Sequence, residues 1–303
     1  MLFSIPELLN PLRYADGSIH QIFRALPPVT WQQSFWAVTG YPEAQQVLSN
    51  PAVFSSAYGS GLSSDTKPGL VSLNLSDPPL HTDLRASVEA WLSRVKPEYR
   101  LGDHPIRELP RQTLQAIFEI DSQPARRLQR LAVGVARHQR SANAKLLQAL
   151  EPIACPVSLA PVDQLYLKRL LTLASLESSS AALTSLARHT PEPEMLEEML
   201  RLHPPIQRFG RHVLRDTQLG SEIVRAGQRV VVFFAAANRD PRVFKAPDEW
   251  RRRRVAHLSF GYGPHRCPGA QLARLQLRLA RSNPGNPPER IYPSNFALSP
   301  WST

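Results

Sequence analysis

The stretch from Phe260 to Gly269 reads F-G-Y-G-P-H-R-C-P-G and sets one cysteine, Cys267, between glycines just ahead of a helical pattern. From Ala270 to Arg281 the run A-Q-L-A-R-L-Q-L-R-L-A-R puts Gln271, Arg274, Arg278 and Arg281 on one polar stripe, with apolar residues around the rest, as in a largely buried helix. Cys267 therefore stands at a helix start. Free N–H groups and the positive end of the helix dipole lower a thiol's pKa there, and the thiolate is the form that binds metal. Gly263 and Gly269 permit backbone angles and close approaches that side chains forbid, so the loop can lie against a flat ligand. A buried structural cysteine behind a turn is the competing reading of an isolated Cys-Pro-Gly. Zinc fits poorly, because the other cysteine, Cys155, is distant and no C-x-x-C accompanies either one.

Phe260, Gly263, Cys267 and Gly269 match the spacing F-x-x-G-x-x-x-C-x-G in full, and here the chain resembles the haem-binding loop of the cytochrome P450 family. The resemblance implies that Cys267 is the proximal ligand of a haem b iron, a thiolate whose electron density favours O–O cleavage.

Other segments resemble the same family in the same order. The run F-W-A-V-T-G-Y-P-E-A-Q-Q-V-L is similar to its amino-terminal strand and helix, with Ser34 to Val38 as the strand and a helix opening at Pro42-Glu43. Asp77-Pro78-Pro79-Leu80-His81 through Arg85 resembles D-P-P-x-H-x-x-x-R; four apart, His81 and Arg85 share a helix face, and the family's matching residues bind haem propionates. Ala174-Ser175-Leu176-Glu177-Ser178-Ser179 is similar to the oxygen-binding motif [A/G]-G-x-[D/E]-T-[T/S]. Ser175 stands where glycine opens room for oxygen, and Ser178 replaces threonine. A hydroxyl beside a carboxylate can still pass protons, which makes Glu177 and Ser178 the expected acid/alcohol pair.

Glu198 and Arg201, three apart on one helical face and followed by L-H-P-P, resemble the family's buried core pair, whose third member is then Arg254. Trp250 takes a position usually held by phenylalanine. Arg211, His257 and His265 match positions on the propionate side, and Ala235 to Phe244, A-A-A-N-R-D-P-R-V-F, is similar to A-N-R-D-P-x-x-F. Helices are expected over Gly17 to Leu26, Leu109 to Phe118, Pro124 to Arg137, Ala142 to Leu150 and Pro161 to His189, and a strand over Val230 to Ala235. Arg85 and Glu177 lie only 92 positions apart, fewer than in a typical member.

The resulting expectation is a mainly α fold with a small β-rich lobe, a P450-like haem-thiolate fold shortened in its lid helices and carboxy-terminal end. We read one domain over 1–303, with the mixed lobe at 1–60, the helical haem-binding core at 61–281 and a Pro/Ser-rich tail at 282–303, which Trp301 anchors.

Composition is ordinary for a globular chain of 303 residues, with 42% hydrophobic and 20% charged. Two cysteines and no signal-peptide pattern point to a cytoplasmic compartment without disulfides, and the longest apolar run, Val230 to Ala237, is too short to span a bilayer. The net charge of +11 comes mostly from arginine. No helix-turn-helix, zinc-finger or RNA-binding signature accompanies it, so nucleic acid is set aside. Arg251, Arg252, Arg253, Arg266, Arg274, Arg278 and Arg281 flank the cysteine loop instead and suit an acidic redox partner, a ferredoxin or flavodoxin.

The expected function is a haem-thiolate monooxygenase acting on a small or carrier-tethered organic substrate. A peroxide-driven enzyme and a non-catalytic haem protein are the alternatives. The short lid implies either an open pocket or cover from a second subunit.

Overall fold

The computed structural model describes residues 26–32, 34–57, 71–100, 105–136, 139, 141–252 and 255–282. The chain is mainly helical with a small mixed sheet. Strand β1 (Val29–Gln32) turns back into β2 (Phe35–Val38), and helix α1 (Tyr41–Ser49) leads to the short β3 (Phe54–Ser55). Helices α2 (Leu80–Arg94), α3 (Pro105–Phe118), α4 (Ser122–Ala136), α5 (Ala142–Leu150) and α6 (Pro161–Leu173) follow. A π-helical turn, Ala174–Ser178, joins α6 to α7 (Ser179–His189). After α8 (Leu196–Leu202) come β4 (Arg208–Val213), the β5 (Thr217–Leu219) and β6 (Glu222–Val224) hairpin, and β7 (Arg229–Phe233). The short α9 (Phe234–Ala237) and, past the cysteine loop, α10 (Ala270–Ser282) are the last described elements.

The sheet runs β1-β2-β7-β4-β3, with β2 and β7 parallel and the other pairs antiparallel. Val230, Val231 and Val232 are all buried, as expected of a central strand covered on both faces. Val38, Val47 and Phe54 share one core with Val213, Val232 and Phe244, so the first described elements pack against the last third of the chain.

Three departures from the sequence reading have local causes. The hairpin partner β1 was not anticipated; its pairing places Trp31 opposite Trp36, ring centroids 5.3 Å apart. The expected strand to Ala235 stops at Phe233, where the chain turns helical. The helix from Pro161 to His189 is broken by the π turn, at which the Ser175 and Ser178 hydroxyls donate back to the Thr172 and Ala174 carbonyls, at 3.2 and 2.6 Å. Such back-bonding competes with the helical ladder and bends it. The expected helix over 17–26, except its last residue, lies outside the described residues, as do Arg253, Arg254 and the tail from 283 with Trp301.

Two polar knots fix the approach to the cysteine loop. Arg201, 1% exposed, forks onto Glu198 at 2.8 and 2.9 Å and donates to the carbonyls of Asn238, Pro247 and Glu249 at 2.8, 2.7 and 3.2 Å. Asn238 in turn donates to the Arg201 carbonyl and Ser259 Oγ and accepts from the Leu258 N–H at 2.7 Å, so α8 and the segment before the loop share one set of bonds. In the second knot Arg242 spans Asp240 and Glu43, and Asp240 caps α1 through the Tyr41 N–H.

Candidate active site

Three short backbone bonds shape the loop: Gly261 N–H to Leu258 O at 2.7 Å, Arg266 N–H to Gly263 O at 3.0 Å and Cys267 N–H to Phe260 O at 2.7 Å. Gly261 and Gly263 have φ of 73° and 68°, in the region that favours glycine. A Cβ on Gly263 would stand 2.7 Å from Ser49 Cα and 2.8 Å from the Leu48 carbonyl oxygen, so this glycine also lets the loop press on the end of α1. From the opposite direction Arg85, on α2, donates to the Pro264 and Arg266 carbonyls at 2.7 and 2.6 Å and pairs with Glu89 at 2.6 Å.

Held this way, Cys267 opens onto a large cavity walled mainly by apolar side chains of α2, α3, α6, α7 and α10. Cys267 is exposed and lines that cavity. Burial pushes the thiol pKa up; the Gly269 N–H and the charges of Arg85, Arg266 and Arg274 pull the other way without prevailing. The lowered pKa expected from the helix start is therefore overridden by burial. An incoming metal must displace the thiol proton, as linkage between metal binding and pKa requires.

Arg211 and two imidazoles gather on another wall. Arg211 is buried on β4; its guanidinium lies 5.1 Å over Phe209 and donates to the Gly210 carbonyl, and burial lowers its pKa to about 10. His81 is buried against His265 with ring centroids 4.0 Å apart, and its Nε2 has no hydrogen-bond partner. His265 Nε2 lies 3.2 Å from Ser56 Oγ, and burial, then Arg211 and His81, push its pKa down to about 3. A buried guanidinium that depresses both imidazoles, with an orphaned ring nitrogen among them, forms a site that an anion would relieve. A flat group carrying carboxylates at one edge and a metal at its centre fits these residues: apolar walls for its faces, Arg211, His81 and His265 for its charge, and Cys267 for its metal.

Ser175, Ser178 and Ser179 line the cavity from the π turn and the start of α7. A further polar corner was not anticipated. Thr113 donates to the Leu109 carbonyl and accepts from Tyr99 and from Gln276 Nε2, both at 2.6 Å, while the buried Gln276 Oε1 has no partner. A glutamine inside the apolar stripe Ala273, Leu277, Ala280 was the signal available for it.

Of the residues expected at the site, Cys267, His81, Arg85, Arg211, His265, Phe260, Gly269 and Ser178 line one cavity. Three stand elsewhere. His257 turns to Glu197, its Nε2 3.1 Å from Oε2; Gly263 packs on α1, and Gly261 takes the lining position; Glu177 is buried beside the π turn, outside the lining. The basic flank is also changed, since Arg251, Arg252, Arg274 and Arg281 pair with Glu249, Glu194, Glu197 and Glu192. Arg266 and Arg278 have no carboxylate partner among the described residues.

The sequence model of the family described as Cytochrome P450 matches residues 193–283, from α8 through the cysteine loop to α10. Linalool 8-monooxygenase of Pseudomonas putida is 26% identical over 90% of this chain and 90% of its own. The chain belongs to the cytochrome P450 family. The beta-dihydromenaquinone-9 omega-hydroxylase of Mycobacterium tuberculosis is 45% identical over 28% of this P450 and 18% of its own length, and a mutant of P450 EryK in complex with erythromycin B superposes with a TM-score of 0.73 at 20% identity over 91% and 88%. The protein is accordingly a P450-type monooxygenase, and the cofactor of its family is haem ligated by a cysteine thiolate. Among the described residues no helix is long and apolar enough to cross a membrane.

Proposed function

We propose that this P450 is a haem b monooxygenase in which Cys267 ligates the iron, His81, Arg211 and His265 receive the haem carboxylates, and Ser178 faces the bound oxygen. The observation that carries the reading is the convergence of that thiol, that arginine with its two imidazoles and that hydroxyl on one apolar cavity. When bound, haem supplies the oxygen activation that no side chain of this chain provides. Arg85 holds the loop through its carbonyls, so that the sulfur keeps its aim. Ser178 donates its hydrogen to the Ala174 carbonyl and offers its lone pairs to the cavity, and Glu177, the residue before it, stands buried beside the π turn as the carboxylate of the pair.

Apolar walls favour an apolar organic substrate. A carrier-tethered one is supported by P450BioI, a structure of which holds a fatty acid ligated to acyl carrier protein and which superposes with a TM-score of 0.70 at 20% identity over 90% of this chain and 93% of its own. Electrons arrive from an acidic ferredoxin or flavodoxin at the face bearing Arg266 and Arg278. Ser175 in place of glycine and a hydroxyl tied back to its own helix favour peroxide as a second oxidant.

The test is the optical spectrum of the reduced protein with carbon monoxide. Cys267→Ala abolishes the thiolate-type band and Cys155→Ala keeps it; a band that survives in Cys267→Ala overturns the assignment. Turnover with a reductase set beside turnover with peroxide separates the two oxidants.

A further inference from the structure

Behind Phe260, away from the cavity, Glu197 joins three side chains. Its carboxylate takes both arms of the Arg274 fork, Nε to Oε1 at 2.7 Å and a terminal nitrogen to Oε2 at 2.8 Å, which bridges α8 to α10. The same Oε2 lies 3.1 Å from His257 Nε2. His257 Nδ1 accepts the Ser259 N–H at 3.2 Å, so the ring proton sits on Nε2 and is donated to Glu197. Arg274, gripped there, lies over the Phe260 ring at 4.5 Å, and the His257 ring stands 5.9 Å from the same phenyl. Phe260 is bonded to Cys267 through its carbonyl and lines the cavity beside it.

Of the two charges in this clamp, Arg274 is the one that lies over Phe260, while the contacts of Glu197 are with Arg274 and His257. Glu197 therefore holds a cation at the back of the cysteine loop. An arginine without that grip has a long, flexible stem and water to extend into.

We propose that Glu197 is a positioning residue that parks Arg274 against Phe260 and thereby sets the electron affinity of the metal centre bound at Cys267. The proposal rests on the assignment of Cys267 as the iron ligand. A fixed cation near a thiolate-bound centre favours the state holding the extra electron, so the parked arginine raises the midpoint potential and its release lowers it.

The test is spectroelectrochemical titration of haem-loaded wild type, Glu197→Gln, Arg274→Gln and the double variant. Each single variant is expected to lower the midpoint potential by a similar amount, shifting the oxidised-to-reduced ratio severalfold at a fixed applied potential, and the double variant to go no lower. Should Arg274→Gln fail to take up haem, Arg274→Met, equally uncharged, replaces it with the same expected direction. A rise in Glu197→Gln, as simple loss of a nearby negative charge would give, overturns the proposal, and so does an unmoved potential or a double variant that falls by the sum of the two. The wild-type reduced carbon monoxide spectrum separates the two claims. Without a thiolate-type band both fail; with it, and with unmoved potentials, only the clamp fails.

Discussion

Replacing Arg201 by methionine fills much of its volume and removes its charge, and the structure says what is left behind. Two forked bonds to Glu198 disappear, and the carbonyls of Asn238, Pro247 and Glu249 lose their guanidinium donors at a residue 1% exposed. Breaking a buried ion pair by removing one partner costs about 3–5 kcal/mol, because the remaining charge stays buried. Three abandoned carbonyls push the expectation to the upper end of that range. Against a typical domain stability of about 5–15 kcal/mol, Arg201→Met should fold marginally. Urea unfolding followed by circular dichroism measures it. Glu198→Leu combined with Arg201→Met removes the stranded carboxylate and should recover part of the loss. A single-variant loss below ~1 kcal/mol, or a double variant no more stable than the single, refutes the account of a buried charge held in place by its partner.

Four further outcomes follow from other contacts. The hydrogen bonds from Arg274 and His257 outweigh burial and hold the Glu197 pKa at about 2, below its ordinary 4.5, so this ion pair stabilises the fold above pH ~4.5 and loses its contribution as pH falls toward 2; Glu197→Gln should flatten that part of an acid-unfolding curve, and an unchanged curve refutes it. Gly263→Ala imposes a strained φ and a clash with the Ser49 backbone and should cost roughly 1–3 kcal/mol in the haem-free protein, whereas Gly227→Ala, with nothing within 4 Å, pays only the φ penalty; equal losses in urea would refute the close-approach argument. Arg211→Ala should speed haem transfer to an acceptor apoprotein severalfold while the far-ultraviolet spectrum is unchanged, and an unaltered transfer rate removes Arg211 from the carboxylate site. Stopped-flow reduction by an acidic ferredoxin should slow in Arg278→Glu more than in Arg252→Glu, whose arginine is already paired with Glu194; equal effects, or reduction indifferent to salt, remove the docking face.

The cysteine loop, the Glu198–Arg201 pair and the Asn238 segment were legible because their geometry is short-range: a few residues at fixed spacing on one turn or one helix face. His257 was misplaced because its partner, Glu197, lies 60 residues away and spacing to Phe260 carries no information about which way the ring turns. The thiol's pKa went the wrong way for a similar reason, since a helix start is visible in sequence and the closure of a cavity around it is not. The flanking arginines were read as a free basic surface. The acidic residues that neutralise most of them, Glu192, Glu194 and Glu197 in P-E-P-E-M-L-E-E and Glu249, were equally visible, but only folding brings them together.

The sheet order has a consequence in time. Strand β2 ends at Val38, and its parallel neighbour β7 begins at Arg229, with β4 only slightly earlier. At translation rates of about 5–20 residues per second, the opening hairpin leaves the ribosome on the order of 10–40 s before the strand that must lie beside it exists. Through that interval β2 presents an unpaired edge, and Ala37 and Val38, fully buried in the finished sheet, stand in water or against whatever is near. The helices between residues 80 and 202 are made from contacts close in sequence and can form during the wait, so the described elements assemble from the middle outward and close on β2 last. Expression of any piece ending before residue 229 should therefore yield helices with an unsatisfied amino-terminal hairpin, prone to associate through the edge that β7 was meant to cover.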